Sequence, residues 1–214
     1  MKAFSRALGV LRDGMSIQPP TARSDTAEQI MDVAETLIQT RGYNGFSYQD
    51  VAEAIGIRKA SIHYHFASKT DLGVAVLDRY SGRIEAGLAQ LRAEPDVDAL
   101  TMLQHYAAPF LEFAKTSERV CLCGALAGEL LSLPAEMRDR VKSFFADHQR
   151  WLAEIIERGQ GRGEIAPNVP ARETARSVFS MLQGALLVQR ATGDASQLSD
   201  VLRSIRRQLV GTEG

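Results

Sequence analysis

Ser47-Tyr-Gln-Asp50-Val-Ala-Glu-Ala-Ile-Gly56-Ile-Arg-Lys59-Ala-Ser-Ile-His63-Tyr-His-Phe66-Ala-Ser68-Lys69-Thr-Asp71-Leu72 is the stretch on which the fold turns. Ser47 followed three residues later by Asp50 is a capping-box pattern, because both side chains can accept from the N–H groups that a helix start leaves unpaired. Val51, Ala52 and Ile55 then share one helical face, and Gly56 supplies the left-handed residue that stops the helix. The next helix begins near Arg58 or Lys59. Its apolar residues Ile62 and Phe66 are four apart and face inward together, which turns Lys59, Ser61, His63, Tyr64 and His65 elsewhere. Ser68 with Asp71 opens another helix, with Lys69 in its first turn. A cation suits that end of a helix dipole poorly, and a phosphate held jointly by free N–H groups and the ammonium would reconcile the two. Two short helices on a tight glycine turn, the second crowded with donors, hydroxyls and a cation, suit a helix that enters the DNA major groove.

Working outward, a preceding helix is expected from Asp25, with Glu28 completing a capping pattern, to about Thr40. Ile30, Val33, Ala34 and Leu37 form its buried stripe and Gly42 ends it. From Asp25 to Leu72 the chain resembles the TetR/AcrR family of one-component transcriptional repressors. The resemblance lies in Gly42-Tyr-x-x-Phe46-Ser47, Val51-Ala52-x-x-Ile55-Gly56-Ile57 and Lys59-Ala-Ser-Ile-His-Tyr-His-Phe66-x-Ser68-Lys69-x-x-Leu72. It implies that Ser47 and Tyr48 touch phosphate from the start of the second helix. It further implies that Lys59, Ala60, Ser61 and His63 face base edges, and that Tyr64, His65 and Lys69 clamp the backbone. At His63 the family more often carries tyrosine, which leaves the base preference there open.

Overall charge is close to neutral, formally -1, so no coat of positive charge covers the molecule and any DNA surface must be local. Across residues 24 to 72 the acids Asp25, Glu28, Asp32, Glu35, Asp50, Glu53 and Asp71 outnumber Arg41, Arg58, Lys59 and Lys69. The cations at 58, 59 and 69 stand apart from acids carried mostly on the first two helices, which fits a narrow phosphate-facing edge with salt-sensitive affinity. A chain of 214 residues exceeds what a lone helix-turn-helix needs, so a second domain follows. The expected organisation is a disordered extension over 1–23, a DNA-binding domain over 24–72, and an effector-binding and dimerisation domain over 73–214. The extension carries Lys2, Arg6 and Arg12 without an apolar run long enough for a signal peptide, and no segment approaches a membrane span, which points to the cytoplasm. Met15 offers an alternative start of translation, and the basic arm before it an alternative reach into the minor groove.

Beyond Leu72 the pattern is helical throughout, giving an all-α chain of nine helices. Leu72, Val76, Tyr80, Ile84, Leu88 and Leu91 mark a long fourth helix that Glu94-Pro95 breaks. It links the two domains. Further helices are expected at roughly 98–116, 118–131, 135–160, 171–192 and 197–210. Val178, Leu182, Ala185 and Leu186 with Leu198, Val201, Leu202, Ile205 and Leu209 line the last two. They form either a face buried within the chain or a surface for a second copy. The small residues Ala175, Ser177, Ser180, Gly184 and Ala185 favour close approach of that copy, and the resemblance implies a four-helix dimer core. A two-fold dimer sets two recognition helices roughly 34–36 Å apart on a palindromic operator.

Cys121 and Cys123 sit two apart, and on a helix their side chains diverge by about 200°, which argues against a bond between them. His105 and His148 show no ligand spacing with them, so no metal is expected. The thiols are either inert and buried, or one is a reactive thiolate at a helix N-terminus beside Arg119; the resemblance includes members that sense electrophiles or oxidants this way. It also implies a small, often apolar effector, for which Phe110, Phe113, Met137, Phe144, Phe145, Trp151, Phe179 and Met181 are candidate lining residues, or simply core. No phosphate loop, nucleophile elbow or metal-hydrolase helix motif is present, so neither an enzyme nor a cofactor is expected. The alternative is a helical adaptor or activator that uses the corner to bind protein.

Overall fold

The computed structural model describes residues 22–116 and 118–210, and among them the chain forms nine α-helices and no strand. These are α1 (Ala22–Arg41), α2 (Tyr48–Ile55), α3 (Lys59–His65), α4 (Lys69–Ala93), α5 (Ala99–Ala114), α6 (Leu122–Gly128), α7 (Ala135–Gly161), α8 (Ala171–Thr192) and α9 (Gln197–Val210). One compact unit comprises the residues up to Ile84 together with Leu122–Phe144, and the other comprises Glu85–Cys121 together with the chain from Phe145. The expected extension, its basic arm and Met15 lie outside the described residues. Among the described residues no helix is long and apolar enough to cross a membrane.

In the first unit α1 begins three residues before Asp25, which therefore occupies the first turn instead of capping it. A carboxylate there complements the helix dipole. Ile30, Met31, Ala34 and Ile38 are buried, whereas Val33 and Leu37 are only half-buried. The stripe is rotated because Glu35 is drawn inward by arginines of α4: Arg83 reaches it at 2.7 Å and Arg79 at 3.1 Å. Arg79 also meets Glu28 and Asp32, each at 2.8 Å. Of these, only the Arg79–Glu35 contact has little water access on both sides, and it weighs more than the exposed pairs elsewhere on the chain.

Local chemistry then places the corner as expected. Ser47 caps α2: its N–H donates to Asp50 Oδ2 at 2.7 Å, and its Oγ accepts from the Gln49 N–H at 3.2 Å. Gly56 ends α2 at φ 70°, a conformation that a Cβ would penalise. α3 follows after Ile57 and Arg58, with Ile62 fully buried beneath it. At α4 the Ser68 N–H donates to Asp71 Oδ2 at 2.9 Å, and the Asp71 N–H to Ser68 Oγ at 3.1 Å.

The helix expected over 118–131 is shorter, because α6 stops at Gly128 and Glu129 leaves helical geometry at φ -106°, ψ 10° before a single 3-10 turn, Leu130–Ser132. Cys121 precedes α6 and Cys123 lies inside it.

The second unit is built on α5, α8 and α9 and the later part of α7. Of the nine positions expected to receive a second copy, Val178, Leu182, Ala185, Leu186, Leu198, Ile205 and Leu209 are buried within this one chain, and Val201 and Leu202 are half-buried. The seven buried positions form the seam by which α8 and α9 pack on each other and on α5, so they are core of this chain. Helical period alone cannot say which molecule covers an apolar face. The apolar side chains left outside on α8 are Leu187 and Val188, 48% and 44% exposed.

Candidate nucleic-acid interface

α3 carries no acid, and its outer face is polar and open. Arg58, Lys59, Ala60, His63 and Tyr64 are exposed, Tyr64 at 64%, while Ser61 and His65 are half-buried. Thr26 of α1 flanks the same surface and lines a concavity with Ile57, Arg58, Ala60, Ser61, Tyr64 and His65. Nothing near Thr26 in sequence points to α3; only the packing of α1 brings them together.

His63 is oriented from two sides. Its ring packs edge-on against Tyr48 with centroids 4.8 Å apart, and its Nδ1 lies 3.3 Å from the Ala67 carbonyl. A proton on Nδ1 makes that hydrogen bond and leaves Nε2 as an acceptor, the role an adenine amino group would satisfy. Tyr64 packs edge-on against His65, with centroids 5.2 Å apart.

Two residues expected to touch phosphate also have partners within the fold. Tyr48 is 5% exposed, and its hydroxyl donates to the Phe66 carbonyl at 3.0 Å. It is a strut across the corner, tying the start of α2 to the end of α3. The family resemblance had implied a phosphate contact for it, but the ring turns inward, where the corner has an apolar centre to fill. Burial, aided by the Asp71 carboxylate, pushes its pKa up to about 12, so it remains a donor at any physiological pH. Lys69 is likewise committed inward: its ammonium donates to the Phe46 carbonyl and stands 4.5 Å and 4.3 Å from the Tyr43 and Phe46 ring centroids. The mismatch with the helix dipole is thus resolved by a carbonyl and two aromatic faces within the fold. Burial lowers the Lys69 pKa, against the opposing pull of Glu129 and Asp50. Ser47 is exposed, but its hydroxyl already donates to Asp50 Oδ2 at 2.7 Å.

Of the residues proposed to line an effector cavity, Phe110, Phe145, Trp151 and Phe179 gather around Tyr106 and His148 in the second unit. Phe144 and Cys123 belong to the first unit, where Phe144 packs on Tyr80 with centroids 5.9 Å apart. In the second unit Trp151 stacks on Tyr106 at 5.3 Å, Phe110 lies 6.1 Å from the same ring, and Phe145 meets Phe179 at 5.3 Å. Phe113, like Phe145, is half-buried. At helical spacing these rings pack on one another. Sequence reading passed over the polar pair inside that cluster: the Tyr106 hydroxyl and His148 Nδ1 are 2.8 Å apart and buried. Desolvation pushes the His148 pKa down to about 4, partly opposed by Asp147, and drives Tyr106 well above its usual value, with Cys121 adding to the effect. The signal was a histidine on the buried stripe of α7 between Phe144 and Trp151. Cys121 and Cys123 are both buried, at 3% and 0% exposure. The second unit does carry an apolar groove between α5 and α9, floored by Leu100, Leu103, Ala107, Leu111, Leu202 and Leu209, with Gln104, Arg203 and Arg206 among its lining residues.

Comparison with known proteins places this geometry. The model of bacterial regulatory proteins of the tetR family matches residues 30–76, and that of the tetracyclin repressor-like C-terminal domain matches residues 99–205. A TetR-family transcriptional regulator from Agrobacterium tumefaciens superposes with a TM-score of 0.82 at 34% identity, covering 88% of this chain and 100% of that one. A TetR regulator from Legionella pneumophila gives 0.79, also at 34% identity, over 91% of this chain and 100% of that one. The HTH-type transcriptional repressor DhaR of Mycobacterium sp. is 24% identical over 88% of this chain and 94% of that protein.

Proposed function

This chain belongs to the TetR family of transcriptional regulators, DNA-binding proteins rather than enzymes, and we propose that it is a homodimeric cytoplasmic repressor that occupies a palindromic operator. The observation that carries the reading is the open, acid-free outer face of α3, with Lys59, His63 and Tyr64 all exposed over a buried Ile62. Lys59, Ala60, Ser61 and His63 are the base-reading set, flanked by Arg58, Tyr64 and His65 on phosphate. Ser47 reaches phosphate only by loosening its bond to Asp50. Tyr48 and Lys69 position these groups from behind. The domain division follows: residues 24–72 carry the DNA surface and residues 73–214 carry dimerisation and effector response.

The second copy is assigned to the outer stripe of α8, where Ser177, Ser180, Gly184, Leu187 and Val188 recur at helical spacing. A Cβ built on Gly184 meets nothing within 4 Å in the single chain, so there is room for a partner backbone.

Release is assigned to a small molecule, because both thiols are buried and out of reach of a reagent in the folded protein. The α5–α9 groove suits an apolar molecule bearing an anionic group, which Arg203 or Arg206 would meet. Such an effector weakens repression only if it binds the DNA-incompetent arrangement better than the competent one. Titration with 8-anilinonaphthalene-1-sulfonate, an apolar anion, tests the site. Enhanced fluorescence that is lost in Leu111→Asp and Arg206→Glu supports it; equal enhancement in both variants rules the groove out.

A further inference from the structure

Asn44 stands in the turn that carries the chain from α1 to the Ser47 cap, and its partners Glu129 and Ser132 come from 85 and 88 residues later. Its backbone N–H donates to Glu129 Oε2 at 2.9 Å, and its side-chain amide donates to the same oxygen at 2.6 Å. That amide also donates to Ser132 Oγ at 2.9 Å, and the Ser132 hydroxyl returns to the Glu129 carbonyl at 2.8 Å. The ring of contacts is closed. Gly42 completes the fit: at φ +81° it is already a glycine position, and a Cβ there would stand 1.7 Å from Glu129 Oε1. The carboxylate therefore rests directly on the turn's backbone. At the end of the turn the Lys69 ammonium, which the Glu129 charge also reaches, holds the Phe46 carbonyl.

We propose that Glu129 is a positioning residue for DNA binding: by gripping the backbone and side chain of Asn44 against Gly42 it fixes the 42–46 turn, and so sets where the α2–α3 corner presents its DNA-facing side chains. This rests on α3 being the DNA surface. The turn holds no regular structure between Gly42 and Ser47, so its conformation depends on such bonds rather than on helix propensity. A corner that shifts by an ångström loses base contacts, which need aligned donors and acceptors, far more than it loses phosphate contacts. Glu129 also follows by only seven residues the point, between Cys121 and Leu122, at which the chain passes from the second unit into the first.

The full-length protein is tested against an operator recovered by selection from genomic fragments, with an unrelated duplex as the non-specific probe. Glu129→Ala is expected to weaken operator binding at least tenfold while leaving the unrelated duplex bound as in wild type. Glu129→Gln, which keeps an oxygen able to accept both Asn44 donors, is expected to stay within about threefold of wild type. Asn44→Ala, which keeps the backbone donor, is expected to lose operator binding selectively as Glu129→Ala does but by a smaller factor, and the double variant to be no worse than Glu129→Ala alone. Should Glu129→Ala fail to fold, Asn44→Ala, whose side chain is exposed, carries the same comparison. Operator binding unchanged in both alanine variants overturns the proposal, as does an equal loss on operator and unrelated duplex, which marks a merely structural role. Lys59→Ala run alongside separates the two claims: if it binds like wild type, the assignment of α3 fails; if it is weakened and Glu129→Ala is not, only the role of Glu129 fails.

Discussion

The hydroxyl of Tyr48 donates to the carbonyl of Phe66, 3.0 Å away, and by that bond the first residue of α2 holds the cap residue of α3. The Phe66 N–H is itself spent on the Ile62 carbonyl at 2.8 Å, so the end of α3 is pinned by one bond from within the helix and one from across the corner. Tyr48→Phe keeps the ring and removes the donor, leaving a buried carbonyl unpaired. We expect a loss of about 1–3 kcal/mol in unfolding free energy by denaturant titration, with weaker operator binding as the end of α3 loosens. Unchanged stability would mean that water replaces the hydroxyl.

His148 makes stability acid-sensitive. Its folded-state pKa is depressed to about 4 against about 6.5 when unfolded, so between those values the unfolded chain binds the extra proton. This contribution is fully present above about pH 6.5 and lost as pH falls toward 4, by up to roughly 3 kcal/mol. Thermal unfolding across that window should show the decline, and His148→Gln should flatten it. An equal slope in the variant would assign the effect to carboxylates elsewhere.

Gly184→Arg fills open space on the outer stripe of α8 without touching the core of its own chain. Sedimentation is expected to show a monomer of normal helical content with greatly weakened operator binding. A variant that still sediments as a dimer moves the interface off this stripe.

Both thiols should resist N-ethylmaleimide in the native protein and react once it is unfolded, because Cys121 and Cys123 are buried. Rapid native labelling of either, read by mass spectrometry, would reopen thiol modification as a release route.

The N-terminal corner was legible in the sequence because its signals are local. Ser47 with Asp50, Gly56 at a positive φ, and Ile62 with Phe66 on one face are each decided within one or two helical turns. Helix number and class were legible for the same reason. What stayed hidden depends on which element covers which. The inward turn of Tyr48, the carbonyl and rings that receive Lys69, and the burial of Leu182, Leu186 and Ile205 within their own chain are tertiary outcomes that share a periodicity with their alternatives. The aromatic residues at helical spacing leave lining and core open in a related way, since Trp151 against Tyr106 and Phe145 against Phe179 pack ring on ring. Asn44 and Glu129, eighty-five residues apart, carry no joint sequence signal at all.

Whether the exposed face of α3 reads DNA is decided by a gel-shift of wild type, Lys59→Ala and Tyr64→Ala on a fragment selected from the genome, repeated over a range of salt. Wild type is expected to bind with a steep salt dependence, and both variants to fold normally yet bind more weakly, Lys59→Ala with a shallower salt slope by about one if it meets phosphate and with relaxed sequence preference if it meets a base. Binding by both variants indistinguishable from wild type, or no fragment retained by the wild-type protein, would contradict that role for α3.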